Sequence, residues 1–599
     1  MAQVLIEITK FVKCQSALSS GLPGMNSQMN DSLLGVSDVL VQGARSDLSM
    51  THDSIYEEAK RRTLELGRPQ WQDSLYFKFL ESASRAELLK SQIPFYYAVE
   101  AFPRLLCRLA SLVETSEARF LVVENIWEEH GLGKGAHGFH TNTFKTHLKA
   151  LGWDENCLER CPFIDDWIKR LMSLNSPQEL FLSLAAIEYL YAVISETITD
   201  TLAKHDLVCE QHHYEKHSEL DWEHGRELLE AMVLAGHAFD NDMFDHAQGD
   251  FLNLFDSLAF PTVMDMEKLR ESQPVAFYYT REDSKVLDEA LDLMQEVRPE
   301  KKAHPVDKLS VLLTCSGGEH VFHCLARPNK ISSITALDIN PKQIEVCQKK
   351  LEKMGKSLHL NAKEAPLSFQ QQAALGRFEL LFSWIRRYLH RLGEGAASKM
   401  EKSNDWRDKV TNAHLKYVVG RVFSNDVLEA VFTKDATMYT TASFADHFVG
   451  VLQALLGELD HSPTARNIFL GEPLPSPPEM ASILKERELP VEYVCSHMQD
   501  FNFKSGYDLI DLSNVGDWLP LSSFREVVQR AVAALAPGGS LILRRLLGDY
   551  DIVKDVLTSI ENREARSLCV LRQTEDETHF YSQTVIAVKS PHVGPQARL

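Results

Sequence analysis

Between about residue 50 and residue 255, apolar side chains recur every three or four positions, and strand-like alternation is almost absent. Such a spacing is typical of amphipathic helices. The clearest helical segments are residues 74–91, 93–115, 116–130, 141–151, 177–204 and 212–235. We therefore predict an all-α helical bundle over residues 49–255. Residues 1–48 are rich in Ser, Gly, Asn and Met and are predicted to form a flexible arm.

The pattern changes after about residue 270, where short apolar runs alternate with helical stretches. Four runs are predicted as buried strands, at residues 309–314, 334–338, 507–512 and 539–544. Strands that alternate with helices predict an α/β doubly wound, parallel sheet. We assign residues 256–275 to a linker and residues 276–590 to this second, Rossmann-like domain. A helical stretch from about 385 to 465 is predicted to be an insertion that caps the site.

The composition fits a globular protein of more than one domain. The chain has 599 residues, too many for one hydrophobic core. Its formal charge of −21, without a long Lys/Arg run, argues against nucleic acid or an anionic membrane as the main partner. No stretch approaches the roughly 20 apolar residues that cross a bilayer, and the start lacks a signal-peptide pattern. The cysteines form no CxxC pair. We expect a cytoplasmic protein with a small-molecule substrate, and allow for a homodimer.

One short segment carries three candidate metal ligands. In His217-Ser-Glu-Leu-Asp221-Trp-Glu-His224, spacings of four and three place His217, Asp221 and His224 along one helix face. Imidazole nitrogen together with carboxylate oxygen suits iron or manganese better than a structural zinc. The alternative is the polar face of an acidic, His-rich helix.

Other helices supply matching ligand types. Glu188 lies in an otherwise apolar helix, where burying an unpaired carboxylate would be costly, so we expect a metal or a polar partner. The segment Asn125-Ile-Trp-Glu-Glu-His-Gly131, which contains Glu128 and Glu129, ends one helix, and His140 opens the next.

These motifs resemble the haem-oxygenase-like diiron oxidases and oxygenases over about residues 50–250. The resemblance rests on Ala101-Phe-Pro-Arg-Leu-Leu, Glu124-Asn-Ile-Trp-Glu-Glu-His-Gly, the His140 helix ending Ala-Leu-Gly152, and His-x3-Asp-x2-His. It implies a seven-helix bundle that holds two Fe(II) ions, with O2 as co-substrate. The implied ligands are Glu129, His140, Glu188, His217, Asp221 and His224. A longer, Gly-rich link at 131–137 leaves Glu128 and His137 as alternatives to Glu129 and His140, which the distance to Ala150-Leu-Gly152 favours.

The second domain carries a glycine-containing turn after its first strand. In Leu313-Thr-Cys-Ser-Gly317-Gly318-Glu319, glycine would let backbone N–H groups approach a ligand at a helix N-terminus. About twenty residues on, Asp338 ends the second strand, where a carboxylate can accept from ribose hydroxyls. Without a complete GxGxxG, the turn gives no support for an NAD site.

The order of motifs in this domain resembles the S-adenosylmethionine:diacylglycerol 3-amino-3-carboxypropyl transferase family, which has the class I methyltransferase fold. The motifs are Phe277-Tyr-Tyr-Thr-Arg-Glu-Asp283, Ala336-Leu-Asp-Ile-Asn340, Asp511-Leu-Ser-Asn-Val-Gly-Asp517 and Ala536-Pro-Gly-Gly-Ser-Leu-Ile-Leu-Arg-Arg545. Where the family has Trp-Glu-Asp, this chain has Arg281-Glu-Asp. The predicted cofactor-binding residues are Ser316, Gly317, Gly318, Asp338, Asn340, Gln499 and Asp500. Asp511, Ser513 and Asp517 are predicted on the acceptor side as catalytic residues, or as caps of helices.

Together the two resemblances predict a bifunctional enzyme of specialised-metabolite biosynthesis. One domain would transfer a 3-amino-3-carboxypropyl group from S-adenosylmethionine, and the other would oxidise an amino-acid-derived substrate with O2. One alternative is a methyltransferase fused to the diiron oxidase. Another is a regulatory or binding protein with one degenerate domain.

Overall fold

The computed structural model divides the chain into two compact units, residues 1–60 and 61–599. It describes residues 52–66, 74–133, 138–155, 157, 159–205, 213–298, 309–327, 330–356, 376–394, 406–475, 491–559 and 568–591. The predicted arm at residues 1–48 lies outside these ranges. In the first unit, the described residues belong to helix α1, His52–Arg61.

The described residues between 61 and 256 lie mostly in helices, as predicted for residues 49–255, and one more helix, Val263–Ser272, lies in the segment predicted as a linker. The further helices are α2 (Leu75–Ser82), α3 (Arg85–Leu112), α4 (Ser116–Glu129), α5 (His140–Leu151), α6 (Pro162–Ser173), α7 (Pro177–Lys204), α8 (His213–Leu234), α9 (Asn241–Asp256) and α10 (Val263–Ser272). Within the described residues, α7 is long and apolar enough to cross a membrane, but most of it is buried among other helices. Such burial is expected of the core helix of a bundle.

The boundary between α2 and α3 differs from the prediction. From the apolar spacing we predicted helices at 74–91 and 93–115. Instead the break falls at Ala83, and Ser84 begins a capping box with Glu87 that fixes the start of α3. Pro94 and Pro103 lie inside α3, where tertiary packing tolerates them. Helices α6 and α9 were not among the clearest predicted segments.

A seven-stranded sheet forms the core of the second domain, in the order β3-β2-β1-β4-β5-β7-β6. The strands are β1 (Leu309–Thr314), β2 (Ile331–Asp338), β3 (Val491–Cys495), β4 (Tyr507–Asp511), β5 (Leu535–Arg545), β6 (Leu568–Thr574) and β7 (Gln583–Lys589). The four predicted strands are present, although β2 and β5 begin earlier than predicted. The first five strands are parallel, whereas β7 pairs antiparallel with both β5 and β6. The expectation of a wholly parallel sheet was therefore wrong.

Helices cover both faces of the sheet, because the strand side chains alternate in direction. Val311 and Leu313 of β1 pack with α11 (Lys285–Val297), α12 (Glu319–Leu325) and α13 (Pro341–Lys356) on one face. Leu312 faces the other way and packs in the cluster that contains α21 (Leu521–Ala534). The domain is thus doubly wound.

The predicted helical insertion between β2 and β3 is longer than residues 385–465. It comprises α14 (Arg377–Glu394), α15 (Trp406–Lys409), α16 (Asn412–Val422), α17 (Asn425–Phe432), α18 (Asp435–Met438), α19 (Phe444–Gly457) and α20 (Pro463–Leu470). On one side Arg391 pairs with Asp256 at the end of α9. On the other side His447 Nε2 donates to the carbonyl of Phe580, 2.8 Å away. The insertion therefore contacts both the bundle and the sheet domain.

Candidate functional site

Four helices bring the six predicted metal ligands together inside the bundle. Glu129 ends α4, His140 begins α5, Glu188 lies in the middle of α7, and α8 carries the other three. All are buried except His140, whose side chain is 15% exposed. The helical periodicity explains the contribution of α8, since positions i, i+4 and i+7 share one face.

The ligand atoms lie close to one another. Glu129 Oε1 is 2.9 Å from His140 Nδ1, and the rings of His140 and His217 are 4.8 Å apart. Oxygens of Glu129 and Glu188 and a nitrogen of His224 all lie within 4.8 Å of one another. Such a cluster of mixed nitrogen and oxygen donors fits one or more divalent cations of the iron or manganese type.

A nearby positive charge would stabilise the buried carboxylates of the cluster in their ionised form. Burial, together with the charges of Asp221 and Glu129, raises the pKa of Glu188 well above its usual value. Burial raises the pKa of Asp221 in the same way. Glu188 Oε1, Asp221 Oδ2 and His224 Nδ1 are buried without a hydrogen-bond partner. Carboxylates placed in this way are stabilised in their charged form by a bound cation.

The surroundings of His217 keep its imidazole ring in the neutral form. Burial and the neighbouring His140 lower its pKa to about 3, so the ring carries one proton at neutral pH. Its Nδ1 lies 2.7 Å from Asp221 Oδ1. When Asp221 is ionised, as a bound cation would keep it, its carboxylate can only accept, so the proton belongs on Nδ1 of His217 and the lone pair of Nε2 remains for a metal.

Glu128, the alternative to Glu129, contacts a different predicted ligand. Its Oε2 lies 2.6 Å from Nε2 of His224, and its side chain is 33% exposed. Glu129 points inward and its side chain is 5% exposed. The two neighbours therefore face different parts of the cluster. His137, the alternative to His140, lies outside the described residues.

Two polar residues at the site were not predicted. Tyr191 OH and His213 Nε2 are 3.1 Å apart, and the Tyr191 ring lies 5.2 Å from the ring of His217. His213 precedes His217 by one helical turn, so the His-x3-His spacing was an available signal. Gly225, directly after His224, was not predicted either. A Cβ there would collide with the ring of Tyr189. The glycine therefore allows α8 to approach α7 closely.

A family model described as iron-containing redox enzyme matches residues 92–246. The matched segment includes all six predicted ligands and runs from α3 into α9. This helical part of the chain is thus similar to a family of iron-containing redox enzymes, and its buried carboxylates and histidines fit iron. No curated protein matches the chain.

In the sheet domain, the predicted cofactor residues lie at the carboxyl ends of β1, β2 and β3. Asp338 accepts backbone N–H bonds from Ser316, at 3.2 Å, and from Asn340, at 2.9 Å. Burial raises the pKa of Asp338 to about 6. Gln499 and Asp500 are exposed in the segment after β3. The carboxyl edge of a parallel sheet is where nucleotides bind in doubly wound folds.

The Gly317–Gly318 turn is in close contact with the backbone of residues 279–280. A Cβ at Gly317 would collide with the backbone of Tyr279 and Thr280, and the Gly317 N–H donates to Thr280 Oγ1 at 3.1 Å. Gly318 has a φ of +96°, which is the left-handed region that favours glycine. The first glycine is thus required by the approach of the 279–280 segment, and the second by its own conformation.

The three predicted acceptor-side residues form internal bonds. Arg544 Nη1 donates to both carboxylate oxygens of Asp511, at 2.8 and 2.9 Å. Burial favours the neutral acid, but Arg544 and His320 hold the pKa of Asp511 well below its usual range. Asp517 accepts from the N–H groups of Leu546 and Gly548, both at 2.7 Å. These contacts hold the loops that follow β4 and β5.

Ser513 is the most strained of the three. It adopts a φ of +53°, unusual for a residue with a side chain. Its hydroxyl donates to Glu282, which was not predicted as a site residue although it lies in the Arg281-Glu-Asp motif. Glu282, His320 and Asp511 also form a group with metal-ligand spacing. Arg544 Nη1 lies 3.4 Å from Glu282 Oε2 and already supplies positive charge there.

Proposed function

We propose that the chain is a bifunctional enzyme. Its helical domain binds two ferrous ions and oxidises a small organic substrate with O2. Its sheet domain transfers the 3-amino-3-carboxypropyl group of S-adenosylmethionine to a small acceptor. The two reactions are consecutive steps on one metabolite, an inference that rests on their presence in one chain.

The convergence of the six ligands carries the oxidase half of the proposal. Glu129, His140, Glu188, His217, Asp221 and His224 would hold the two ions. Ferrous ions with open coordination positions supply the activation of O2. In the balanced reaction O2 accepts four electrons, of which two come from the substrate and two from an external reductant. Both oxygen atoms then form water, or one of them is incorporated into the product.

The protein's own groups prepare the site for this chemistry. The carboxylate of Glu128 holds a proton on Nε2 of His224, which leaves the lone pair on Nδ1, the atom that faces Glu188 Oε1 at 3.9 Å. Burial of Glu188 and Asp221 excludes water from the ligands. Both effects favour a defined ligand geometry before the cations bind.

Anaerobic loading of the full-length chain with Fe(II) tests the oxidase half. We expect about two irons per chain after desalting, and O2 uptake when a reductant is added. Asp221→Asn should lose iron. Its matched control is Glu223→Gln on the same helix, where the side chain is 57% exposed. Iron content near zero in the wild-type chain would contradict the proposal and favour a binding or regulatory protein.

Three observations support the transferase half. The parallel strand order 3-2-1-4-5 is the nucleotide-binding order. Asp338 lies at the end of β2, and Ser316 follows β1 with a φ of +45°. In S-adenosylmethionine the sulfonium already activates the carbon, so the protein mainly aligns the acceptor for in-line attack. Attack on the aminocarboxypropyl carbon breaks its bond to sulfur and releases methylthioadenosine.

The released nucleoside distinguishes this reaction from methyl transfer. We expect methylthioadenosine when the chain is incubated with S-adenosylmethionine and a pool of amines, alcohols and amino acids. S-adenosylhomocysteine would indicate a methyltransferase instead. Asp338→Asn should reduce turnover, whereas Asp292→Asn, at an exposed position of α11, should not.

A further inference from the structure

A small cavity of about 40 Å³ lies beside the predicted metal ligands. It is larger than the roughly 10–15 Å³ that one water needs, so it can hold a small group of a substrate but not a whole drug-sized molecule. Glu129, Glu188, His140 and His217 form one side of the cavity. A molecule bound in it would therefore lie next to the cations that we propose.

Most of the other residues that line the cavity are apolar. Four of them belong to α3 and are spaced at i, i+3, i+4 and i+7, so they form one helix face. The others come from α6, α7 and α9. The apolar lining residues are Phe95, Ala98, Val99, Phe102, Trp167, Ile187 and Phe251. All of them are buried except Phe102, which is half-buried.

The remaining polar lining residues have partners within the protein. Tyr191 OH and His213 Nε2 are 3.1 Å apart, and His213 Nδ1 lies 3.1 Å from Thr143 Oγ1. Among the described residues that line the cavity, there is no Lys, Arg, Asn or Gln. The carboxylate of an amino acid would therefore lose its hydration in this part of the cavity without gaining a cationic or amide partner, which is costly.

We propose that the cavity binds an alkyl or aryl group of the oxidised substrate, and that any charged end of that substrate stays outside, beyond Phe102. The inference rests on the proposed oxidase function, since the ligands define which end of the substrate reacts. It names the substrate class: a small molecule whose oxidised carbon belongs to an apolar group. A zwitterionic amino-acid head does not enter.

A homologous series of probes tests this inference. Binding of methanol to 1-hexanol to the full-length, Fe(II)-loaded chain would be measured by anaerobic calorimetry. Burial of each methylene group contributes about 0.8 kcal/mol, so we expect affinity to rise about fourfold per methylene until the cavity is full. Norleucine should bind at least tenfold more weakly than the alkanol of equal chain length. Equal or tighter binding of norleucine, or no dependence on chain length, would overturn the inference.

Two variants locate the binding to the cavity. Val99→Phe fills space beside the ligands and should lower alkanol affinity at least tenfold. The control, Glu100→Phe, adds the same side chain on the exposed face of α3 and should leave affinity unchanged. If Val99→Phe does not fold, Phe102→Ala at the half-buried position offers a milder change and should lower affinity several-fold.

The same experiment separates the inference from the proposed function. The alkanol series is also measured on the metal-free chain. A chain that binds alkanols in the cavity but no iron would contradict the oxidase and leave an apolar binding site. A chain that binds two irons but binds norleucine in preference to alkanols would contradict only the apolar substrate class.

Discussion

Glu128 and His224 form a hydrogen-bonded pair across the interface of α4 and α8, with 2.6 Å between Oε2 and Nε2. The ionised carboxylate can only accept, so His224 donates through Nε2. Its other nitrogen, Nδ1, is buried without a hydrogen-bond partner and lies 3.9 Å from Glu188 Oε1. The pair therefore orients the imidazole so that Nδ1 faces the proposed metals.

Removing this carboxylate should weaken iron binding without unfolding the bundle. Partners that orient a ligating histidine typically contribute ten- to a hundredfold to metal affinity. We expect Glu128→Ala to lower Fe(II) affinity by about that factor, measured by competition with a chelator, and Glu128→Gln to lower it less. Glu117→Gln, at an exposed position of the same helix, is the control. If Glu128→Ala removes a whole iron, Glu128 is itself a ligand.

A methyl group at Gly225 should disturb the site by separating two helices. Its Cβ would collide with the Tyr189 ring on α7, and overpacking of this kind costs about 1–3 kcal/mol. We expect Gly225→Ala to lower both the urea midpoint and the iron content. Gly249→Ala in α9 is the matched control, because no atom lies within 4 Å of its Cβ. It should be neutral or stabilise by roughly 0.5–1 kcal/mol. Equal effects of the two substitutions would contradict close approach at Gly225.

Binding of S-adenosylmethionine should strengthen as pH rises through about 6. Burial raises the pKa of Asp338 to about 6, so its carboxylate is largely protonated at pH 5 and ionised at pH 8. The ionised form is the better acceptor for ribose hydroxyls. We expect roughly tenfold weaker binding at pH 5 than at pH 8, following the ionised fraction. Asp338→Asn should bind weakly with little pH dependence. A flat profile in the wild-type chain would place the ribose elsewhere.

Loss of Arg544 should destabilise the sheet domain strongly. Its guanidinium is fully buried and bonded to Asp511, so Arg544→Met removes the bidentate partner of a buried carboxylate and leaves it with His320, 3.3 Å away. Removal of one partner of a buried ion pair costs about 3–5 kcal/mol. The double variant Arg544→Met/Asp511→Leu should recover part of that loss. The control is Arg572, whose half-exposed side chain forms an ion pair with Glu289 at 3.2 Å. Arg572→Met should lower the free energy of unfolding by less than about 1 kcal/mol. The measurement is urea unfolding followed by circular dichroism. Equal losses in the single and double variants would contradict a charge effect.

Much of the fold follows from local patterns in the chain. The extent of α7 matches the predicted segment 177–204, because its apolar period is unbroken between Ser176 and His205. Strand β1 matches residues 309–314 for a similar reason. Strands β3, β6 and β7 were missed. Strands β3 and β6 are partly exposed and mix apolar with polar residues, so their sequences do not read as buried strands. The antiparallel pairing of β7 is a long-range relationship that no local period encodes.

The sequence by itself determined which candidate metal ligands share one face of α8. The spacing of His217, Asp221 and His224 places them on one helix face, because the period of a helix is a local property of the backbone. Only the tertiary structure decided how the other groups face this helix: Glu129 points inward while Glu128 bonds to the outer nitrogen of His224. It also placed the 279–280 segment against Gly317. Adjacent side chains on α4 differ in direction by about 100°, so the packing of one helix against another decides which of them faces the other predicted ligands.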